Sequence, residues 1–231
     1  MKLAISGTYS SGKTTTSIAL SHLTGIPRTQ ARTMREILPE ILPGKRLEDC
    51  TVPELFQLGM VRYTERVVHE SHLPDGFISD GSSLHEWVYG KVRVRTGIRP
   101  GTTDPDGGFS TVEQRVLFEQ VMDAMGAVMQ RHALTAYDAF AHLPIEFPLV
   151  ADGHRPVSEQ FRRLSDELLL STLDRAGIRT VIVGGSLPDR LGTLVRTFSL
   201  PQVMAVPEAI DRAQRDIEVL DTSNETARSA R

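Results

Sequence analysis

Gly7-Thr8-Tyr9-Ser10-Ser11-Gly12-Lys13-Thr14 matches the pattern G-x-x-x-x-G-K-[ST]. These residue types at this spacing suit one chemistry, the holding of a nucleotide's phosphates. Glycines at 7 and 12 permit backbone angles and close approach that a Cβ would block. The loop amides and the start of the next helix can then face the phosphates. Lys13 is placed to reach the β- and γ-phosphates, and the Thr14 hydroxyl to ligate Mg²⁺. Residues 7–15, ending in Thr15, are the expected contact with Mg·ATP.

Further along the chain, polar residues stand where a second substrate would need them. Phe77-Ile78-Ser79 reads as a short strand ending in Asp80. Ligands of open parallel sheets sit beyond the carboxyl ends of the strands. Asp80 can hold Mg²⁺ through water or take the proton of an acceptor hydroxyl, and its bland alternative is to cap the helix near Ser82. Asp152 also ends an apolar run and competes with it. The prolines before Asp152 make its run a poorer central strand. Arg155 follows on a loop, with Arg162 and Arg163 in the first turns of a serine-led helix. Guanidinium forks suit phosphoryl oxygens, so these three are lid candidates. Their alternative is ordinary pairing with Glu159, Asp166 or Glu167. Gly185, Ser186 and Arg190 follow the last strand and are candidates for contact with the base. Arg28, Arg32, Arg62 and Arg93 are candidates for the acceptor side, with solvated arginines as the alternative.

The elements that position these residues are legible from periodicity and punctuation. Strands are expected at Lys2–Ser6, within 26–33, at 77–79, at 139–143 and at Thr180–Val183. Helices are expected from Thr14 to Leu23 and from Thr51, capped by Glu54, to about His72 with Phe56, Met60, Tyr63 and Val67 inward. On that helix Arg66 falls off the apolar stripe. Pro39 and Pro43 predict a broken helix over 34–50. A helix over 83–92 leads into the basic run Lys91, Arg93, Arg95 and Arg99 and then a glycine-rich loop. Thr111 and Gln114 open a long helix with Leu117, Val121, Ala124, Met125 and Val128 inward. Residues 1–200 form the expected main domain, and 201–231 a terminal helix with a disordered tail.

Composition narrows the classes. With 40% hydrophobic and 24% charged residues, the 231-residue chain supports a packed core. A net charge of −3 gives no general drive toward nucleic acid or anionic membrane. One cysteine, Cys50, excludes an internal disulfide and predicts a cytoplasmic setting. Met1 leads directly into the first strand, so no signal peptide is expected. The histidines show no H-E-x-x-H or paired Cys/His spacing, and G-x-S-x-G is absent. His85 and the other five outside 154 read as structural or surface residues.

GTYSSGKTT, FISDGSS, YDAFAHLP, LVADGHR and VIVGGSLPDRL together resemble the AAA-type domain family that includes the nicotinamide riboside kinase domain. That family lies in the wider nucleoside- and nucleotide-kinase-like P-loop group. The resemblance covers about residues 1–195. It implies a three-layer P-loop NTPase fold: a doubly wound, parallel five-stranded sheet with helices on both faces. It also implies ATP with Mg²⁺ and phosphoryl transfer to a small hydroxyl-bearing acceptor, with Lys13 and Thr14 at the phosphates and metal, Asp80 at the acceptor side and Arg155 in the lid. The leading expectation is an ATP-dependent small-molecule kinase acting on a nucleoside, nucleotide or other metabolite. A nucleotide-dependent regulatory ATPase is the alternative. A nucleic-acid end kinase, suggested by the run 91–99, is the third. Membrane and nucleic acid are not expected partners, and a homodimer stays open.

Overall fold

Side-chain alternation in the first strand assigns the layers. In the computed structural model, which describes residues 1–100, 108–149 and 158–219, this strand is β1, Lys2–Ser6. Leu3 and Ile5 face one side of the sheet and Ala4 the other, and all three are fully buried. Burial on both faces is what a parallel sheet between helical layers requires. The other strands are β2 (Arg28–Thr29), β3 (Phe77–Asp80), β4 (Ala139–His142) and β5 (Thr180–Ile182). They form one five-stranded sheet in the order β2-β3-β1-β4-β5, with every pairing parallel. Ile5 lies opposite Asp80 on β3, and Ser6 lies opposite His142 on β4. The loop after Ser6 thus emerges between the carboxyl ends of both neighbours.

One helical layer contains α1 (Lys13–Thr24), α7 (Leu187–Phe198) and α8 (Val206–Val219). Ile18, Leu20, Leu23, Leu191, Leu194, Ala209 and Ala213 pack there against Leu3, Ile5 and Ile78. The other layer contains α3 (Val52–Ser71), α4 (Leu84–Thr96), α5 (Val112–Ala136) and α6 (Glu159–Arg175). Leu84, Trp87, Val88, Met122, Met129 and Leu169 pack there against Ala4, Phe77 and Phe140. A short α2 (Met34–Ile41) closes a satellite cluster with Ile37, Leu38, Cys50 and Leu58.

Several helices depart from the sequence expectation. On α5 the buried face is Phe118, Met122, Gly126, Met129 and Ala133, while Leu117 is 61% and Val128 57% exposed. The expected face is rotated by about one residue. Two glycines set the register: a Cβ on Gly126 would stand 2.5 Å from Trp87 Nε1, and one on Gly90 2.3 Å from Met122 Sδ. Close approach of α4 and α5 decides the packing, and a hydropathy pattern gives glycine no weight. On α3, Phe56, Met60, Tyr63 and Val67 are only half-buried, and Arg66 and Glu70 are the deeply buried residues of its second half. Pro39 lies inside α2 rather than before a break, two residues from its end. The helix α4 runs on to Thr96, so Lys91 is helical and pairs with Glu119 and Asp123 of α5. Phe147–Leu149 is not strand. No helix among the described residues is long and apolar enough to cross a membrane.

Candidate active site

Between Ser6 and Lys13 the chain turns through backbone angles that the sequence prepares for. Gly7 has φ +139° and Gly12 φ +87°, and a Cβ on Gly7 would lie 2.7 Å from the Leu143 carbonyl. Ser10 also has positive φ, at 57°. The Lys13 ammonium folds back over the loop and donates to the Thr8 carbonyl at 2.5 Å, and the Ser11 hydroxyl donates to the same carbonyl at 3.0 Å. Thr14, in the first turn of α1, is exposed, and its hydroxyl has no hydrogen bond among the described residues.

The loop is gripped from behind by three side chains. His85 Nε2 lies 3.0 Å from the Gly7 carbonyl, while its Nδ1 accepts from the Ser82 amide at 2.9 Å. That amide fixes the tautomer, so Nε2 carries the proton and donates. Burial first, then the charges of Lys13 and Arg66, push the His85 pKa down to about 3, so the ring stays neutral. Arg190 Nη1 donates to the Ser11 carbonyl at 2.8 Å, and Arg162 Nη2 reaches the Ser10 carbonyl at 3.5 Å. Both guanidiniums are buried. In a planar trans peptide the C=O and the following N–H point opposite ways. Tying the carbonyls of Gly7, Ser10 and Ser11 backward therefore turns the amides of Thr8, Ser11 and Gly12 away from the clamps. Amides aligned in this way form an anion-binding nest.

In front of the loop lies a cleft of about 440 Å³, within the roughly 300–1,000 Å³ usual for small-molecule sites. Residues 9–15 form one end. Asp80, Arg62 and Glu86 line its charged floor, and Phe56, Tyr89 and Phe118 its apolar wall. Tyr9 of the loop stacks on Tyr89 of α4 with ring centroids 4.7 Å apart, and both rings approach Phe161 of α6. This cluster couples the loop to the helical layer opposite α1.

The AAA domain family matches residues 2–190. The chain belongs to the AAA domain family. No curated protein matches it in sequence. Among solved structures, it is similar to deoxyadenosine kinase from M. mycoides. The form with bound dATP is 13% identical with a TM-score of 0.58, over 86% of this chain and 100% of that one. The form with the products dCMP and a flexible dCDP is 14% identical with a TM-score of 0.57, over 86% and 99%. At these identities the likeness establishes a shared fold.

Within this AAA domain the remaining residues singled out by sequence can be placed. Arg28 Nη2 donates to Asp80 Oδ2 at 2.6 Å and its Nε to Ser17 Oγ at 2.9 Å, which fixes the Asp80 carboxylate at the rim of the loop. Asp80 does not cap α4, whose N-cap is Ser83. Arg62 pairs with Glu86 at 2.9 Å, and both line the cleft, Glu86 with its side chain only 3% exposed. Arg93 lines it too, bonded to the carbonyls of Tyr89 and Ile98 and lying over the Phe161 ring. Arg32 instead pairs with Glu40 and Glu65 on the outer surface.

Arg190 and Arg162 sit differently from their sequence expectation. Arg190 is under the phosphate loop, and its second contact is Glu146 at 2.6 Å. The Gly185 amide also donates to Glu146, and together they hold that carboxyl below its ordinary range. Ser186 caps α7 by accepting from Asp189. Arg162 is wholly buried on the loop and on the Phe147 carbonyl, with Glu159 at 3.5 Å as its alternative reading expected, whereas Arg163 is exposed and pairs with Glu167. Arg155 and Asp152 lie outside the described residues.

Sequence reasoning placed the acceptor half within 28–36, 62–66 and 80–110 but did not single out Arg35, His85, Glu86 and Tyr89, which line the cleft. The repeat of polar and aromatic residues at 82, 85, 86 and 89, one face of a helix just after Asp80, was the available signal. It also missed a buried chain from Arg66 through Ser79 and Glu70 to Tyr137. Burial raises the Tyr137 pKa, so it serves as a donor. Ser6, His142 and Asp166 also form a chain, at 3.0 and 3.1 Å. It has the order of a nucleophile triad, but Ser6 and His142 are fully buried. A substrate cannot reach that hydroxyl, so this chain supports the strand ends.

Proposed function

We propose that this AAA domain is an ATP-dependent phosphotransferase that moves the γ-phosphoryl group of Mg·ATP to a hydroxyl of a small, nucleoside-like acceptor. The observation that carries this reading is the continuity of the cleft. It starts at Lys13 and the loop amides, passes Asp80, and extends into a compartment bounded by the buried Arg62–Glu86 pair and aromatic rings. A domain that only hydrolysed ATP would need access for water and no such second compartment. The structural neighbours, a deoxyadenosine kinase with bound dATP or with the product dCMP, support a nucleoside-like acceptor.

The residues divide the task. Lys13 and the amides behind it bind the β- and γ-phosphates and neutralise charge that grows during transfer. The exposed Thr14 hydroxyl and the Asp80 carboxylate, whose Oδ1 has no partner among the described residues, fit Mg²⁺, which uses few protein oxygens beside phosphate and water. When bound, Mg²⁺ would offset charge on the phosphates. Asp80 would orient the acceptor hydroxyl and take its proton, with Arg28 holding the carboxylate in place. Arg155 is the lid candidate for closing over the donor. Positioning and electrostatics then suffice, as phosphoryl transfer needs little covalent help.

Acceptor-dependent release of ADP, measured over nucleosides, nucleoside monophosphates, sugars, amino acids and oligonucleotides, tests the proposal. One small-molecule class should raise turnover well above the rate with ATP alone. Turnover indifferent to every acceptor would favour a regulatory ATPase, and selective stimulation by oligonucleotide ends would favour a nucleic-acid kinase.

A further inference from the structure

Among the described residues, the acids that line the acceptor compartment are already paired. Of the acids that line it, Asp80 is paired with Arg28, Glu86 with Arg62, and Glu48 with Arg46. Arg66 is joined to Ser79 and Glu70. Lys13 belongs to the donor end. Arg35, half-buried in the cleft wall, has no hydrogen bond or ion pair among the described residues. Arg93 meets two carbonyls and a ring face but no carboxylate among the described residues.

The acids nearest to Arg35 in sequence are committed elsewhere. Glu36 closes a capping box on the Thr33 amide, which fixes the start of α2 and the position of Arg35 upon it. Glu40 is taken by Arg32, as is Glu65 of α3. A guanidinium in a cleft that sheds water on substrate binding costs free energy unless it meets an anion. Its planar fork matches the oxygens of phosphate or carboxylate.

We infer that the acceptor carries an oxyanion group, phosphate or carboxylate, beside its reactive hydroxyl, and that Arg35 binds this group with Arg93 adding to the positive field. This inference rests on the phosphotransferase reading and narrows its substrate class. A neutral nucleoside would leave Arg35 unpaired in a drying cleft, whereas a nucleoside monophosphate or a hydroxy or amino acid would pair with it. Arg35 is then a specificity residue of the acceptor site and not of the ATP site.

Two measurements test this. The first compares turnover for matched acceptors that keep the reactive hydroxyl and differ in the anion: nucleosides against their 3′-monophosphates, and serine against serinamide. The anionic member of at least one pair should have the higher kcat/KM, and the pair that responds identifies phosphate or carboxylate. Arg35→Gln should raise KM for that acceptor about tenfold or more, the scale of one lost charge-assisted contact. The KM for ATP should stay within about twofold, and Arg35→Lys should restore part of the loss. The second measurement is calorimetric binding of the nucleoside monophosphates and of serine, with a non-hydrolysable ATP analogue present. If no acceptor is phosphorylated but binding of a monophosphate or serine is lost in Arg35→Gln, the anion site stands and the phosphotransferase reading fails. Preference for the neutral member of every pair, equal weakening of ATP and acceptor, or binding of every probe unaffected in Arg35→Gln overturns the inference.

Discussion

His85 Nε2 donates to the Gly7 carbonyl at 3.0 Å from a ring whose other nitrogen is occupied by the Ser82 amide. Two segments from separate strand ends are thereby locked together: the loop after β1 and the Asp80-Gly81-Ser82 turn after β3. One carries the donor contacts and the other the acceptor-side carboxylate. Both ring nitrogens of His85 are engaged by these two segments, so it acts as a positioning residue.

His85→Ala should therefore leave both the Gly7 carbonyl and the Ser82 amide without their partner. An orphaned buried group costs about 1–3 kcal/mol. Thermal unfolding should shift down, and ATP affinity should fall about tenfold as the loop loses its back support. His85→Gln, which retains a donor, should recover part of both. ATP affinity equal to wild type in His85→Ala would show that the loop is held well enough without the imidazole.

Acid stability gives an independent view of the same contact. The folded protein holds His85 down at about 3, through burial and then Lys13 and Arg66. An unfolded histidine titrates near 6.5. Between those two values the unfolded chain binds a proton that the folded chain refuses, so stability must decline as pH falls through this window and be flat above it. His132, also lowered by burial, acts in the same direction. Glu54, drawn down to about 2 first by Lys45 and then by Thr51, adds its loss only below about 4.5. Urea midpoints should drop between pH 7 and pH 5, and less steeply in His85→Gln. Parallel pH profiles in the two proteins would remove His85 as the titrating group.

The phosphate loop was legible in the sequence because its chemistry is contiguous: glycines, lysine and threonine within eight residues. The five strands were legible for a related reason, since short apolar runs ending in turn residues carry their own boundaries. Arg162 and Arg190 were not. Their partners are backbone carbonyls at Ser10 and Ser11, more than a hundred residues away, and a carbonyl leaves no mark on the sequence. The register of α5 was hidden because Gly126 and Gly90 act by what they lack. Arg66 was read as lying off the apolar stripe because the hydroxyl that satisfies it, Ser79, comes from another element.

Lys13 and Asp80 should separate binding from transfer. Lys13→Ala removes the loop's cation at the phosphates and should abolish turnover, measured as ADP release with saturating ATP. Asp80→Asn keeps the shape and the contact to Arg28 but loses the base. It should reduce kcat about 10²- to 10⁴-fold, the usual span for a positioned acid or base, while ATP affinity changes less than about twofold. Turnover that survives Lys13→Ala would sink the phosphate assignment, and an unchanged kcat in Asp80→Asn would shift the proton-accepting role to Glu86.

Arg190 distinguishes a contact to the base from a support of the loop. Its guanidinium joins the Ser11 carbonyl to Glu146, and a Cβ on Gly12 would stand 2.9 Å from its Nη1. This is the underside of the phosphate loop, where every nucleoside triphosphate presents the same atoms. Arg190→Met should weaken ATP and GTP by the same factor, on the order of 1–3 kcal/mol for a lost charge-assisted support. It should also lower the unfolding temperature, because Glu146 and the Ser11 carbonyl lose their shared donor. The ratio of ATP to GTP affinity, measured by competition in wild type and variant, is the deciding quantity. A residue that read the base would change that ratio by its discrimination energy, whereas a clamp behind the loop leaves it constant. A ratio altered fivefold or more, about 1 kcal/mol, would return Arg190 to the base site.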